Sequence, residues 1–134
     1  MNEEELDPFG YPIDIKRPIV FDEGGLDPHT ELMITEEAQS LGFPGEGFYN
    51  VPSIYEGRIY DPQTEFEQIR EKALQALQGG ARFPNFPSIE EAEKAAIARS
   101  EHIGKLRQAE LAEARRNQQQ RLMMEMLRKF GAIQ

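Results

Sequence analysis

The chain contains no cysteine and no tryptophan, and it has only two histidines among 134 residues. Without cysteine it can form no disulfide, thiolate metal site or cysteine nucleophile. His29 and His102 lie far apart in the sequence, and neither has a second histidine at metal-ligand spacing. The glycine clusters do not match the phosphate-binding patterns of nucleotide-binding proteins. We therefore expect a protein that is not an enzyme, with no catalytic residue, no cofactor and no metal ion.

Long apolar runs are also missing. No segment approaches the roughly 20 apolar residues of a membrane span, so we expect no membrane-spanning helix. The first ten residues, MNEEELDPFG, are acidic, whereas a secretory signal begins with basic residues followed by an apolar stretch. Hydrophobic residues make up 39% of the chain, below the usual share of roughly 45–50%. We expect a small core and further burial against a partner.

The net charge of -9 is unevenly distributed along the chain. Residues 1–57 hold 13 acidic residues and two basic ones, whereas residues 105–134 hold seven basic residues and three acidic ones. Such polarity predicts different partners for the two ends. The alternative is that both charged segments are ordinary solvated faces.

The pattern of breakers and periodicity predicts a mainly α fold with extended segments. Residues 1–30 form an acidic extended arm in this interpretation, because Pro8, Pro12, Pro18 and Pro28 exclude a helix there. Large apolar residues recur in the arm, which predicts that it docks on this chain or on a neighbour. The candidate interface residues of the arm are Phe9, Tyr11, Ile13 and Ile15.

Residues 31–88 are predicted to form a small module with at most a short hairpin. Thr35 and Gly42 would bound a short helix, and Asn50–Tyr55 would be an edge strand, since Pro52 cannot donate to a ladder. Glu56-Gly57 predicts a hairpin turn. A second helix is expected over about residues 64–78, beginning at a Thr64-x-x-Glu67 capping box and ending at Gly79-Gly80. The predicted core comprises Val51, Ile54, Tyr55, Phe66, Ile69, Leu74, Phe83, Phe86 and Ile89.

Residues 89–134 are predicted to form a long C-terminal helix that starts at a Ser88-x-x-Glu91 capping box. There are two candidate break points in this helix. One is Gly104, and the other is residues 115–121, which have no apolar face. The candidate interface residues of the helix are Leu122, Met123, Met126, Leu127 and Phe130. Three roles of this helix remain open. It could pack in a groove or bundle, it could be an ordinary charged surface, or it could contact nucleic acid through Arg115, Arg116 and Arg121.

Residues 49–100 resemble a short module found in bacteriophage virion proteins, among them internal, ejection and tail-associated proteins. The resemblance lies in Asn50–Ile54, Tyr55–Arg58, Gly79-Gly80, Phe83–Phe86 and Ser88–Ser100. It covers about two-fifths of the chain and brings no catalytic residue with it. It implies a virion component that is synthesised in the host cytoplasm.

These observations lead us to expect a non-enzymatic virion structural or assembly protein at the portal–tail region or among the ejection proteins. It would be present in several copies, and its partners would be portal, tail or ejection proteins. The alternatives are a capsid cement or scaffold-like protein, and a nucleic-acid-binding regulator that uses the basic helix. The overall negative charge and the lack of aromatic residues among the bases argue against the regulator.

Overall fold

The computed structural model describes residues 5–22 and 24–131. Parts of the predicted arm and of the predicted C-terminal helix, namely residues 1–4, 23 and 132–134, lie outside the described residues. The described part is a mixed α/β fold, 45% helical and 17% strand, with three small sheets and four helices. The predicted mainly α fold with at most a short hairpin is therefore wrong. In chain order the elements are β1 (Val20–Phe21), β2 (Pro28–His29), β3 (Met33–Glu37), α1 (Ala38–Leu41), β4 (Phe48–Pro52), β5 (Ile54–Tyr55), β6 (Arg58–Ile59), α2 (Phe66–Gln78), β7 (Asn85–Phe86), α3 (Ile89–Leu106) and α4 (Gln108–Lys129).

The central sheet has the antiparallel order β3-β4-β7. Thr35, the predicted helix cap, instead lies in the middle of β3 and pairs with Asn50. The β-branched residues Ile34 and Thr35 favour a strand, and a pairing partner fifteen residues or more away is invisible to a local pattern. The helix that follows is a single turn, and it ends as predicted at Gly42, whose φ is 74°.

The strand β4 is the centre of this sheet, so the prediction that it is an edge strand is wrong. Pro52 pairs with Met33 at one end of β4, whereas β7 pairs only with Phe48 and Tyr49 at the other end. The backbone N–H of Asn50 donates to Pro84 on the β7 side, and residue 52 faces the same side. Since β7 does not extend that far, no strand lies opposite Pro52 on this side. The missing N–H of the proline therefore costs the sheet no hydrogen bond.

Two of the remaining predicted elements form where local signals place them. Glu56 and Gly57 both adopt positive φ, 55° and 76°, and they join β5 to β6 as the predicted hairpin turn. The helix α2 ends at Gln78 before Gly79, as predicted. It begins at Phe66 instead of Thr64, with no capping bond from a side chain.

The core lies between the central sheet, α1 and α2. Leu41, Val51, Ile69 and Ala73 are fully buried, and Phe43 and Tyr60 are almost so. Each large apolar side chain contributes roughly 1.5–3 kcal/mol when buried. Of the predicted core, Val51, Ile54 and Ile69 are buried and most of the others are partly buried, but Ile89 is 40% exposed. Ile89 opens α3 at its exposed end, so the prediction was wrong there.

The helix α3 begins at Ser88, whose hydroxyl accepts a hydrogen bond from the Glu91 N–H at 3.2 Å, as the capping pattern predicted. Its buried residues are Ala92, Ala95, Arg99 and Ile103. Asn50 ties the sheet to this helix, because its buried Nδ2 donates to the carbonyl of Ala92 at 2.8 Å.

The C-terminal helical region is interrupted at Arg107, whose φ of -112° separates α3 from α4. This position lies between the two candidate break points. The i→i−4 bonding nevertheless continues, since Arg107 N–H donates to Ile103 and Leu111 N–H donates to Arg107. The helices therefore follow one another with a kink and without a loop.

Candidate interaction surfaces

The arm is anchored on its own chain by the buried guanidinium of Arg99. Its Nη1 donates to Asp7 Oδ2 at 2.9 Å, and its Nε donates to Glu31 Oε1 at 2.6 Å. Arg17 adds a second cation, 3.5 Å from Glu31 Oε2. The side chains of Asp7, Glu31 and Arg99 are each no more than 8% exposed. Two cations therefore balance two anions, as burial of charge requires.

The pKa of Arg99 reflects two opposing effects. Burial acts to lower it, whereas the hydrogen bonds and charges of Glu31 and Asp7 raise it, and the net result lies above the ordinary value. Arg99 therefore stays charged. Asp7 is held from two sides, because its other oxygen accepts hydrogen bonds from the backbone N–H groups of Phe9 and Tyr11 at 2.8 and 3.0 Å.

Three long polar side chains, one from α3, one from the junction at Arg107 and one from α4, bind backbone carbonyls of the arm in chain order. Arg99 Nη2 donates to Pro12 at 2.9 Å. The kink residue Arg107 donates through Nη1 to Arg17 at 2.7 Å, and Gln118 Nε2 donates to Gly25 at 3.1 Å. We call these three contacts the carbonyl ladder. The acceptors Pro12, Arg17 and Gly25 follow the same order as their donors along the helices, so the arm runs parallel to α3 and α4.

The ladder was not predicted from the sequence. The sequence feature that could have indicated it is an arginine within the buried stripe of a helix. Arg99 and Arg107 continue the three- and four-residue spacing of the buried residues Ala92, Ala95 and Ile103. Its acceptors are main-chain carbonyls, which any residue carries, so no side chain in the arm reveals them.

The predicted interface residues of the arm face in different directions. Ile13 is 7% exposed and belongs to the interior, so it is not available to a partner while the arm is docked. Tyr11 is partly buried, and its hydroxyl accepts from Asn85 N–H at 3.5 Å. Phe9 and Ile15 are 50% and 45% exposed, although Phe9 also meets Phe86 edge-on.

Residues 5–13 fold back on themselves, with Leu6 bridged to Pro12 and Ile13 N–H donating to Glu5. This fold leaves Leu6, Phe9 and Ile15 on the surface with the exposed acids Glu5 and Asp14. We call these five residues the arm patch: Glu5, Leu6, Phe9, Asp14 and Ile15. Leu6 was missed from the sequence, because its strand-like pairing with Pro12 was not predicted.

The predicted interface residues of α4 lie near its C-terminal end. Met123, Met126 and Phe130 are 58%, 52% and 76% exposed. Their spacing of three and four residues places them, with the partly buried Leu127, on one side of the helix. We call residues 123–130 the α4 tip. Met124 is also exposed, and it was missed because it lies off this stripe.

Leu122 differs from the rest of the predicted set. It is partly buried and lines a cleft with Ile19, Val20 and Phe21. It therefore faces the chain's own interior side, as Gln118 does one helical turn earlier.

The three arginines considered for nucleic-acid contact are distributed around α4. Arg115 Nη1 lies 3.6 Å from Asp27 Oδ1, and Arg121 donates a hydrogen bond to the Gln118 side chain. Arg116 is exposed. Arg115 therefore faces an acid within the chain, whereas Gln118 is neutral and leaves the positive charge of Arg121 unbalanced.

A cleft of about 380 Å³ lies between α3 and residues 28–33, with His29 and Ser100 in its lining. His29 Nε2 is 3.5 Å from Asp22 Oδ2. Within residues 5–22 and 24–131, no group of three or more histidine, aspartate or glutamate side chains is placed to hold a metal ion.

The helices were also compared with the requirements for crossing a bilayer. Over the part of the chain that the structure describes, none is both long enough and apolar enough to do so. Comparison with protein-family models, with curated protein sequences and with solved structures finds no match to this chain.

Proposed function

We propose that the chain is a non-enzymatic structural or assembly protein of a bacteriophage virion. It would be made in the host cytoplasm and would act through contacts with portal, tail or ejection proteins. The observation that carries this proposal is the exposed apolar stripe of the α4 tip. The resemblance of residues 49–100 to virion proteins supports the virion setting.

The α4 tip has the character of a binding element. Met123, Met126 and Phe130 expose more than half of their surface at one end of a 22-residue helix. Contiguous exposed apolar surface of this kind marks interaction sites in soluble proteins. Methionine is a frequent choice at such surfaces because its unbranched side chain adapts to irregular partners.

The charges around the stripe indicate the kind of partner. Within residues 121–130 the basic residues Arg121, Arg128 and Lys129 outnumber the single acid, Glu125. An apolar groove with an acidic rim fits this surface, in the manner of a helix docking in a groove. A scaffold-like or cement role on an acidic coat surface would use the same contact, so the location in the particle separates the alternatives.

The test is mass spectrometry of purified virions of the encoding phage, fractionated into shells, tails and released internal proteins. We expect the wild-type chain in the tail or released fraction. We expect a Met126→Asp/Phe130→Asp variant to be strongly depleted, because an ion replaces the apolar contact. The matched control is Ile97→Asp, which changes a residue that is 61% exposed on α3, outside the stripe.

Each other location has a definite meaning. Recovery on emptied shells would favour a cement protein. Recovery only in infected cells would contradict the virion proposal and favour a scaffold or regulator. Normal incorporation of the tip variant would contradict the assigned role of the α4 tip.

A further inference from the structure

The arm patch and the α4 tip have complementary compositions. The arm patch combines three exposed apolar side chains, Leu6, Phe9 and Ile15, with the acids Glu5 and Asp14. The α4 tip combines exposed Met123, Met126 and Phe130 with an excess of basic residues. Both surfaces therefore offer exposed apolar area, and the acids of the arm patch are opposite in sign to the basic excess of the α4 tip.

The two surfaces lie at opposite ends of the kinked helical region. The arm patch is held beside Arg99 through Asp7, and beside Phe86 through Phe9. The carbonyl ladder runs from residue 12 to residue 25 of the chain as the helices run from residue 99 to residue 118. Met123 is 24 residues beyond Arg99, which is about 35 Å at the helical rise.

This separation prevents contact between the two surfaces of one molecule while the arm is docked. Glu125 is the last residue of α4 that lines the cleft with residues 19–21. Met123, Met126 and Phe130 do not line that cleft, and each is more than half exposed. A contact between the α4 tip and an arm patch must therefore join two molecules.

We propose that copies of this chain associate head to tail, with the α4 tip of one copy bound to the arm patch of the next. Such a contact joins two different surfaces, so an open assembly of any length still has a free α4 tip at one end and a free arm patch at the other. Contacts of this type continue into rings or open filaments instead of stopping at a dimer. Tip-to-tip pairing is disfavoured, because it would bring together Arg121, Arg128 and Lys129 of both copies.

The proposal deepens the assembly role argued above, yet it is tested with the purified chain alone. Failure to self-associate would leave virion incorporation open, and absence from virions would leave self-association open. The two proposals can therefore fail separately.

The experiment measures the mass of the full-length chain by sedimentation velocity from about 1 to 200 μM, the range in which weak specific contacts saturate. The tip variant is Met126→Asp/Phe130→Asp, and the arm variant is Leu6→Lys/Ile15→Lys. All four residues are exposed, and circular dichroism checks that both variants keep the wild-type helix content. Ile97→Asp is the control for adding a charge to an exposed apolar site.

We expect the wild type and the control to form species larger than dimers as the concentration rises. Each patch variant alone should remain monomeric, with association weakened at least about 100-fold, since each lost anchor costs roughly tenfold. An equal mixture of the two variants should stop at a dimer, because the intact tip of one fits the intact arm of the other.

Two results would overturn the proposal. One is a wild type that stays monomeric throughout the concentration range. The other is an arm variant that still dimerises while the tip variant does not, which is the behaviour of tip-to-tip pairing. Salt adds an independent criterion, because association between opposite charges weakens with ionic strength, whereas a purely apolar contact does not.

Discussion

At the scale of single residues, the fold depends on a few buried polar groups that receive partners from distant parts of the chain. Arg99 reaches Asp7 across 92 positions and Glu31 across 68. A buried ion pair adds little net stability compared with apolar packing, but removing one partner leaves an uncompensated charge. Arg99 therefore specifies where the arm docks more than it increases the stability of the core.

The first prediction concerns this ion cluster. Arg99→Met keeps much of the side-chain volume but leaves Asp7 and Glu31 with only Arg17, so the free energy of unfolding should fall by about 3–5 kcal/mol. Urea unfolding followed by circular dichroism measures the change. The control is Arg116→Ala at an exposed site, which should stay within about 0.5 kcal/mol of the wild type. Equal effects of the two substitutions would show that the cluster does not anchor the arm.

The second prediction concerns Tyr55, whose buried hydroxyl has no hydrogen-bond partner in the described structure. Burial raises its pKa to about 12, although the charge of Arg17 acts to lower it. The neutral phenol is therefore favoured in the folded state. The resulting contribution to stability is complete below pH 10 and is lost as the pH rises from about 10 towards 12.

Tyr55→Phe tests this assignment. Absorbance at alkaline pH should lose a tyrosine titration near pH 12, and the fall in stability above pH 10 should become shallower. At neutral pH the variant should be more stable by about 1 kcal/mol, since an unsatisfied polar group is removed from the interior. An unchanged alkaline titration would contradict the burial of this hydroxyl.

At the scale of elements, the pairing of β7 with β4 requires a close approach between the two backbones. Gly47 precedes β4 with a φ of 89°, and a Cβ at this position would lie 2.5 Å from the Phe86 carbonyl oxygen. Gly45 has a similar φ of 82°, but a Cβ there would meet nothing within 4 Å. The pair separates the effect of backbone conformation from the effect of contact with the next strand.

The third prediction uses this pair. Gly45→Ala should lower the free energy of unfolding by about 1–2 kcal/mol, which is the cost of a left-handed conformation for a residue with a Cβ. Gly47→Ala carries the same cost and must also displace β7, so its loss should be larger by at least about 1 kcal/mol. Thermal unfolding measures both. If the two variants melt together, β7 does not approach Gly47 as described.

At the scale of the whole molecule, the arm belongs to the fold and the α4 tip extends beyond it. The arm contributes Asp7 to the ion cluster, buried Ile13 to the interior, and three carbonyls to the ladder. By contrast, Met126 and Phe130 are more than half exposed. Truncation of the arm should therefore lower the stability of the fold, whereas truncation of the α4 tip should leave it nearly unchanged.

The fourth prediction follows from this asymmetry. Removing residues 126–134 should leave the melting temperature within about 2 °C of the full chain, because the described part of this segment, residues 126–131, is mainly exposed. Removing residues 1–21 should lower it by at least about 10 °C, since it leaves Arg99 without Asp7 and two ladder donors without acceptors. Differential scanning calorimetry of both shortened chains measures this. Equal melting temperatures would contradict the integration of the arm.

The sequence by itself determined the features that depend on neighbouring residues. Glu56-Gly57 made a turn, Ser88 capped α3 and Gly79 ended α2, because each rests on the conformational preferences of a few consecutive residues. The spacing of Met123, Met126 and Phe130 likewise identified the stripe that the structure leaves exposed.

Only the tertiary structure decided the features that depend on distant partners. β3 formed a strand because Ile34 meets Val51, and Arg99 entered the interior because Asp7 and Glu31 surround it. Burial of a charge or a backbone group becomes favourable only when its partner is present, and local sequence does not carry that partner's position. For this reason the Glu56-Gly57 turn, the cap at Ser88 and the end of α2 at Gly79 were predictable, whereas the docking of the arm along α3 and α4 was not.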